Sequence, residues 1–122
     1  MSYDLAVWEG TRPRNGEEAA RLYEELMDAD EERAEHDLPP EPLTPPIDAL
    51  LTEVTSRWPD GVDMDEESPW AMSNLRDDAS GRFAYFCMTT SPRLNEVVAY
   101  IGQAAGRHGL VCYDPQSERV IS

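Results

Sequence analysis

Apolar residues recur along the chain at two different spacings, which predict its strands and helices. In residues 2–9 (SYDLAVWE), every second residue from Tyr3 is apolar, as on one face of a strand. Asn15 and Glu18 then match the two side-chain positions of a capping box that begins a helix. Helical spacing extends to about residue 28, and the apolar stripe consists of Ala19, Leu22, Tyr23, Leu26 and Met27.

The acidic residues that follow this stripe conflict with a longer helix. Three pairs of like charges lie four residues apart: Glu24–Asp28, Asp28–Glu32 and Glu31–Glu35. Each pair destabilises a helix by about 0.2–0.5 kcal/mol, and the helix dipole disfavours anions near a C-terminus. We therefore expect either that the helix frays near Asp30 or that a positive group compensates.

A proline-rich segment separates this helix from the next one. Residues 38–46 (LPPEPLTPP) contain five prolines in nine positions, which predicts an extended connector. Thr44 is placed to begin a second helix, and Pro59 ends it. The predicted buried face of this second helix consists of Ile47, Leu50, Leu51, Val54 and Trp58.

The remaining chain predicts four more strands and one helix. Residues 70–76 and 83–90 have strand-like patterns and are joined by DDASG, a hairpin connection. The segment from Ser91-Pro92 to Gly109 predicts a third helix, with Gly109 as its left-handed C-terminal residue. Two short strands are predicted after it, at 110–114 and around 119–121.

This order of elements predicts the fold class. The order β-α-α-β-β-α-β-β becomes the ferredoxin-like β-α-β-β-α-β if the two early helices count as one crossover. We therefore expect a single α+β domain over residues 1–122, with an antiparallel ferredoxin-like sheet and the helices on one face. The proline-rich connector at 38–46 and an acidic loop at 59–69 interrupt it.

The net charge of −15 is concentrated in one part of the chain. Residues 17–67 contain 18 acids against three arginines, which accounts for the whole imbalance, while the segments on either side are neutral. Such a surface repels phosphate backbones, so we do not expect a nucleic-acid partner. It attracts basic proteins.

The segment WPDGVDMDEESPW, residues 58–70, is the densest acidic stretch outside the first helix, but it does not match a calcium loop. An EF-hand loop needs oxygen ligands at positions 1, 3 and 5 and glycine at position 6. A loop starting at Asp60 has valine and methionine at ligand positions, and one starting at Asp63 has Ser68 in place of the glycine. A solvated loop is favoured over a weak divalent-cation site made of Asp63, Asp65, Glu66 and Glu67.

No residue pattern predicts catalysis or a cofactor. Cys87 and Cys112 each lie in an apolar, strand-like run, which favours free, inert thiols. His108 falls in the last turn of the third helix, where a capping role is expected, and His36 lacks the convergent ligands of a metal motif. We expect no catalytic residue, no metal site and no cofactor.

The location of the protein is predicted from what its sequence lacks. No apolar run approaches the roughly 20 residues needed to span a bilayer. The segment MSYDLAVWEG has neither the basic start nor the apolar stretch of a signal peptide. We expect a cytoplasmic protein without a membrane partner.

Three segments carry a resemblance to known proteins: SYDLAVWEG at the start, SPW at 68–70 and HGLVCYDPQSERV at 108–120. They resemble small uncharacterised acidic α+β proteins of GC-rich bacteria. This resemblance implies a shared fold. Some of those proteins also resemble immunity proteins encoded beside toxins, which implies a partner-binding role but assigns no contact residue.

The charge distribution and the lack of catalytic motifs together predict a non-catalytic protein-binding domain. We expect an inhibitor or immunity protein for a basic partner; the alternative is a small-molecule or metal-binding regulatory module. One acidic group of the predicted interface is Asp28, Asp30, Glu31, Glu32 and Glu35, and the other is Asp60, Asp63, Asp65, Glu66 and Glu67. Trp58, Trp70 or Trp8, if partly exposed, would supply an anchor, and Trp70 is the one assigned to the interface. We expect at least two of these three tryptophans to be buried in the core.

Overall fold

The computed structural model describes residues 2–39, 41–61 and 68–121, which form an α+β fold with an open five-stranded antiparallel sheet. The helices are α1 (Gly16–Glu35), α2 (Pro45–Arg57) and α3 (Leu94–Arg107). The strands are β1 (Ser2–Trp8), β2 (Ala79–Ser80), β3 (Phe83–Thr89), β4 (Val111–Asp114) and β5 (Arg119–Val120). Within the sheet, the order is β2-β3-β1-β4-β5.

β1 is the central strand of the sheet and lies between β3 and β4, antiparallel to both. Leu5 stands opposite Phe86 of β3, and Val7 stands opposite Cys112 of β4. None of the four residues from Leu5 to Trp8 is more than 1% exposed. The C-terminal half of β1 is therefore covered on both faces.

The helices lie on both faces of the sheet, so the prediction that they share one face is wrong. Leu5 and Val7 belong to one core with α2 and α3, whereas Ala6 and Trp8 belong to a second core with α1. Successive side chains of a strand point to opposite faces, and since all four are apolar, each face needs cover. The two early helices are thus not one crossover, because α1 and α2 pack on opposite sides.

The strand order also differs from that of a four-stranded ferredoxin-like sheet, because β5 extends the sheet beyond β4. The strand predicted at 70–76 is wrong as well. Only Trp70 pairs with the sheet, through a bridge to Met88, and the chain then forms a 3-10 helix (Leu75–Asp78) before β2. The Asn74 side chain caps this short helix by accepting a backbone N–H at 3.0 Å, so local capping is favoured over strand pairing.

α1 extends to Glu35, so the expected fraying of its last turns does not occur. Two backbone hydrogen bonds close its C-terminus: Asp37 N–H donates to the Ala34 carbonyl (3.1 Å) and Leu38 N–H to the Arg33 carbonyl (2.9 Å). These are the two bonds of a Schellman motif. The left-handed residue of this motif is Asp37, with φ of 54°.

α1 begins where the sequence predicts, but its first hydrogen bonds are not those of a capping box. Asn15 Oδ1 accepts the Glu18 N–H at 2.9 Å, as predicted, but the Glu18 carboxylate accepts the N–H of Arg14 (3.2 Å) instead of completing a capping box. The Glu18 pKa lies below its ordinary value because of the hydrogen bonds from Arg14. α3 begins at Leu94, slightly later than predicted.

α2 buries the apolar face that its spacing predicts, and α3 ends where the sequence predicts. α2 follows Thr44 and ends before Trp58, and its predicted face is buried. α3 ends at His108 and Gly109, and Gly109 is left-handed with φ of 69°. The buried residues of α3 are Val97, Ile101, Gly102, Ala104 and Ala105.

Candidate partner-binding surface

The second half of α1 carries the first group of predicted interface acids, and all five are exposed. Beyond Met27, only Arg33 among the residues of α1 is not fully exposed. Within the parts of the chain that the structure describes, no arginine forms an ion pair with any of these acids. The members of this group are Asp28, Asp30, Glu31, Glu32 and Glu35.

Arg33 attaches this half of α1 to the rest of the protein. Its guanidinium Nη2 donates to the Pro39 carbonyl at 2.5 Å, and its Nη1 lies 3.7 Å from a carboxylate oxygen of Glu41. A cation in the last turn of a helix also complements the helix dipole. Arg33 therefore complements the helix dipole and ties the last turns of α1 to the connector, but it pairs with none of the five acids.

One further acid, Asp78 of the 3-10 helix, lies within electrostatic range of Asp30 of α1. Burial raises the pKa of the Asp78 carboxyl, and the negative charges of its neighbour Asp77 and of Asp30 raise it further. The sequence predicts a hairpin turn at this segment and does not connect it with α1, since only the tertiary fold brings Asp78 near Asp30. We call Asp77, Asp78 and the five α1 acids the acidic surface.

Asp60 is the one member of the second group of predicted interface acids that the structure describes. Asp60 Oδ2 accepts the backbone N–H of Leu75 at 2.8 Å and thereby holds the loop to the 3-10 helix. Asp60 is partly buried, and its contact with a partner stays a prediction. Asp63, Asp65, Glu66 and Glu67 lie outside the described residues.

Trp70 is not an exposed anchor, which corrects that prediction. It is only 3% exposed, and its indole N–H donates to the Trp58 carbonyl at 2.8 Å. The ring packs edge to face against Trp58 and tilted against Phe86. Trp8 and Trp58 are also buried. The tryptophans belong to the core because burying such large apolar rings stabilises the fold more than leaving them in water.

Neither cysteine forms a disulfide, as the sequence predicts, and burial raises the pKa of both thiols. For Cys112, which is fully buried, burial raises the pKa to about 12. Because the thiolate is the reactive form of cysteine, neither environment favours a nucleophile. Among residues 2–39, 41–61 and 68–121, no group of three or more His, Cys, Asp or Glu side chains is arranged to hold a metal ion.

His108 takes part in a polar cluster between α2 and α3 that the sequence analysis did not find. Glu53 of α2 receives the Tyr100 hydroxyl (3.2 Å), lies 3.0 Å from His108 Nε2, and pairs with Arg107. The hydrogen bond with His108 holds the pKa of Glu53 below its ordinary value, assisted by Arg107 and Tyr100. The cluster joins the two helices at their exposed edge and has no neighbouring nucleophile.

A second unpredicted network surrounds Asp114, the one buried charged residue in the described chain. Burial alone would raise its pKa, but hydrogen bonds from Tyr3, Gln116 and Ser117 outweigh burial and hold it below the ordinary value. The hydrogen bond between Tyr3 and Asp114 also raises the pKa of Tyr3 to about 12. The Gln116 amide also bonds both the N–H and the carbonyl of Asp4, at 2.6 and 2.8 Å, and so covers an unpaired edge of β1.

The chain matches no protein-family model, no curated protein and no solved structure. None of the described helices is both long and apolar enough to cross a membrane. The geometry of the acidic surface therefore carries the functional argument.

Proposed function

We propose that this protein is a non-catalytic protein-binding domain whose acidic surface binds a basic partner, as an inhibitor or immunity protein does. The observation that carries the proposal is the second half of α1. It retains helical geometry through Glu35 while exposing five acids that pair with no arginine in the described chain. A cationic surface would relieve the repulsion that these acids exert on one another.

Charge on this surface acts mainly on the rate of association. Exposed charges of one sign steer an oppositely charged partner during diffusion and are screened by salt. We therefore expect fast binding at low ionic strength and a marked loss of rate as salt is added. Nucleic acid, whose phosphates carry the same sign of charge as the surface, is not the expected partner.

A binding role is favoured over an enzymatic one by the chemistry of the reactive side chains. Cys112 is buried, Cys87 has a raised pKa, and His108 is engaged by Glu53. A nucleophile needs an accessible, activated atom beside a base, and these environments supply neither.

Two finer expectations belong to the proposal. We infer that β1, α2, β2, β3, α3 and β4 form a ferredoxin-like unit, to which α1 and β5 are additions on the opposite face and at the edge. α2 and α3 share one core, which supports this interpretation. We also keep a cytoplasmic location as an expectation, consistent with two cysteines that form no disulfide.

The test is affinity capture from a lysate of the native host at roughly 0.15 M salt, where the Debye length is about 8 Å. We expect one basic protein to be retained in stoichiometric amount. Its association rate is then measured with a variant carrying Asp28→Asn, Glu31→Gln and Glu35→Gln. A matched control carries Glu17→Gln, Glu24→Gln and Glu25→Gln, which removes the same charge from the exposed first half of α1.

The proposal expects the first variant to slow association by about tenfold or more and the control to slow it much less. Equal effects would show that only net charge matters. Recovery of scattered basic proteins that wash off with salt would contradict the proposal and leave the acids as a solubility feature. The alternative of a metal-binding regulatory module expects a rise in melting temperature with calcium or zinc; a binding domain expects only weak charge screening.

A further inference from the structure

A cavity of about 420 Å³ lies beneath the second half of α1. One wall is α1 itself, from Leu26 to Arg33. The opposite wall is formed by the chain entering α2, at 41–44, and by the turn between β2 and β3, at 80–83. The cavity thus lies directly under the helix that carries the acidic surface.

The cavity is lined by both apolar and charged residues. Leu26, Ala29, Pro42 and Phe83 contribute apolar atoms, and Phe83 is only 4% exposed. The acids at the cavity are Glu9, Asp30 and Glu41. An apolar pocket with acids beside it suits a side chain that is apolar itself and has cations beside it.

The two arginines of the cavity are engaged by acceptors of this chain. Arg33 donates to the Pro39 carbonyl and pairs with Glu41, while Arg82 Nη1 donates to the Glu9 carbonyl at 3.0 Å. Arg33 is thus paired with a carboxylate, whereas Arg82 is exposed and bonds a neutral carbonyl. With three acids against two arginines, the lining is net negative.

A second cavity of about 290 Å³ adjoins the first at the Arg33–Glu41 pair, which lines both. We call the two cavities together the groove. Ala29 lines both cavities. The outer cavity also includes Leu38, which is 50% exposed and is the only large hydrophobic residue so exposed in the described chain. A single exposed leucine is ordinary on a protein surface, but here it adds apolar atoms to the lining of the outer cavity.

We infer that this groove receives an apolar anchor side chain of the basic partner, with the cations on either side of the anchor pairing with the acidic surface. The inference rests on the proposed function and assigns different kinetic effects to the acids and to the groove. The acids govern how fast the partner arrives, and the buried anchor governs how slowly it leaves. The partner is therefore a protein segment in which basic residues flank one large apolar residue.

The test uses two fluorescein-labelled synthetic peptides as probes. Each has eight arginines and lysines around one central position, which is tryptophan in the anchor peptide and alanine in the blank peptide. Ala29→Trp fills the groove without changing the charge. Ala34→Trp is the matched control, because Ala34 is an exposed alanine of the same helix that lines neither cavity.

At roughly 0.15 M salt we expect the wild-type protein to bind the anchor peptide about tenfold more tightly than the blank peptide, a difference of about 1.4 kcal/mol. Ala29→Trp should reduce this ratio to about one, whereas Ala34→Trp should leave it unchanged. If Ala29→Trp lowers the melting temperature, Ala29→Leu provides a smaller filling substitution with the same expected direction.

Three outcomes would overturn the inference. The wild-type protein could fail to distinguish the peptides, or Ala29→Trp could leave the ratio intact. Sedimentation could also show a wild-type dimer that Ala29→Trp dissociates, which would assign the groove to a second copy of this chain. If both peptides bound equally and Asp28→Asn, Glu31→Gln, Glu35→Gln weakened both, the groove would be excluded while the acidic surface would stand.

Discussion

α1 and α3 end in the same Schellman motif but are stabilised by different parts of the protein. At the end of α3, Gly109 N–H donates to the Gly106 carbonyl (3.1 Å) and Leu110 N–H to the Ala105 carbonyl (2.8 Å), the same two bonds that close α1. α3 buries five residues against the sheet and α2, whereas Ala19 is the only buried residue of α1.

This difference shows that α3 is part of the core, whereas the second half of α1 extends beyond it. α3 uses a glycine for the left-handed position and places Arg107 near its C-terminus. α1 uses Asp37 there and exposes acids through its last turns, each unfavourable for the helix itself. Local conflicts of this kind are expected at functional or strained sites, and we propose that in α1 they serve partner binding.

The largest expected effect comes from truncating one apolar side chain in each helix. Ile101→Ala in α3 should lower the free energy of unfolding by about 2–5 kcal/mol, because Ile101 is completely buried and a cavity would remain. Leu26→Ala in α1 should cost about 1 kcal/mol, since Leu26 is only partly buried. Urea unfolding measures both. Equal losses would show that α1 is as much a part of the core as α3.

The left-handed C-terminal residues provide the next contrast. Gly109→Ala should destabilise by about 1–2 kcal/mol through backbone strain alone, because an added Cβ meets nothing within 4 Å. Asp37→Gly should stabilise by about 0.5–1 kcal/mol, since it removes that strain and an anion from the helix C-terminus. Thermal unfolding measures whether each substitution lowers or raises the stability. A loss of stability in Asp37→Gly would mean that the Asp37 side chain supports the turn.

The Glu53 cluster makes the attachment of α3 dependent on pH. The folded-state pKa of Glu53 lies below its ordinary value of 4.5, so its ionised form contributes stability above that value. This contribution is lost as the pH falls from above 4.5 through the lowered folded-state pKa, and Asp114 acts with the same sign. Glu53→Gln should cost about 0.5–1.5 kcal/mol at neutral pH.

Unfolding free energies measured between pH 3 and 7 would test this dependence, and the acid decline should be shallower in Glu53→Gln than in the wild type. Glu96→Gln is the control, because Glu96 forms only an exposed pair with Arg57 and should cost less than about 1 kcal/mol. An unchanged acid decline in Glu53→Gln would assign the pH dependence to Asp114 and other carboxylates.

The smallest expected effect is a gain of stability in α1. Asp28→Gln removes two like-charge pairs, with Glu24 and Glu32, and should stabilise the protein by about 0.4–1 kcal/mol at low salt. The gain should shrink as salt is added. The same substitution should slow association with the basic partner. Chemical unfolding and association kinetics on this one variant therefore test two opposite effects of the same charge. If the variant were more stable and also associated faster, Asp28 would be excluded from the interface.

Local patterns predicted most of the elements because each depends on nearby residues. Asn15 caps α1, Pro59 follows α2, and Gly109 takes the left-handed position after α3, each as expected. The strand expected at 70–76 failed because Asn74 and Asp60 satisfy backbone N–H groups there, and the contact with Asp60 links distant parts of the chain. No local periodicity contains that information.

For the candidate site, the five acids of α1 that the sequence assigns to the interface are exposed. The sequence did not predict which acid of another segment lies near them. Only the tertiary fold brings Asp78 of the 3-10 helix within electrostatic range of Asp30. The tryptophans could not be assigned from type alone, because a large aromatic residue serves equally well as an interface anchor or as core. Packing placed all three in the core.

The sequence by itself determined the α+β composition, the start of α1, the ends of α2 and α3, and the concentration of negative charge in residues 17–67, because these follow from short-range periodicity, capping and composition. Only the tertiary structure decided that α1 and α2 pack on opposite faces of β1. A strand with four consecutive apolar residues requires cover on both sides, but its pattern does not say which helix supplies it. That choice places the acids of α1 on the face opposite α2 and α3, above a groove made from distant segments.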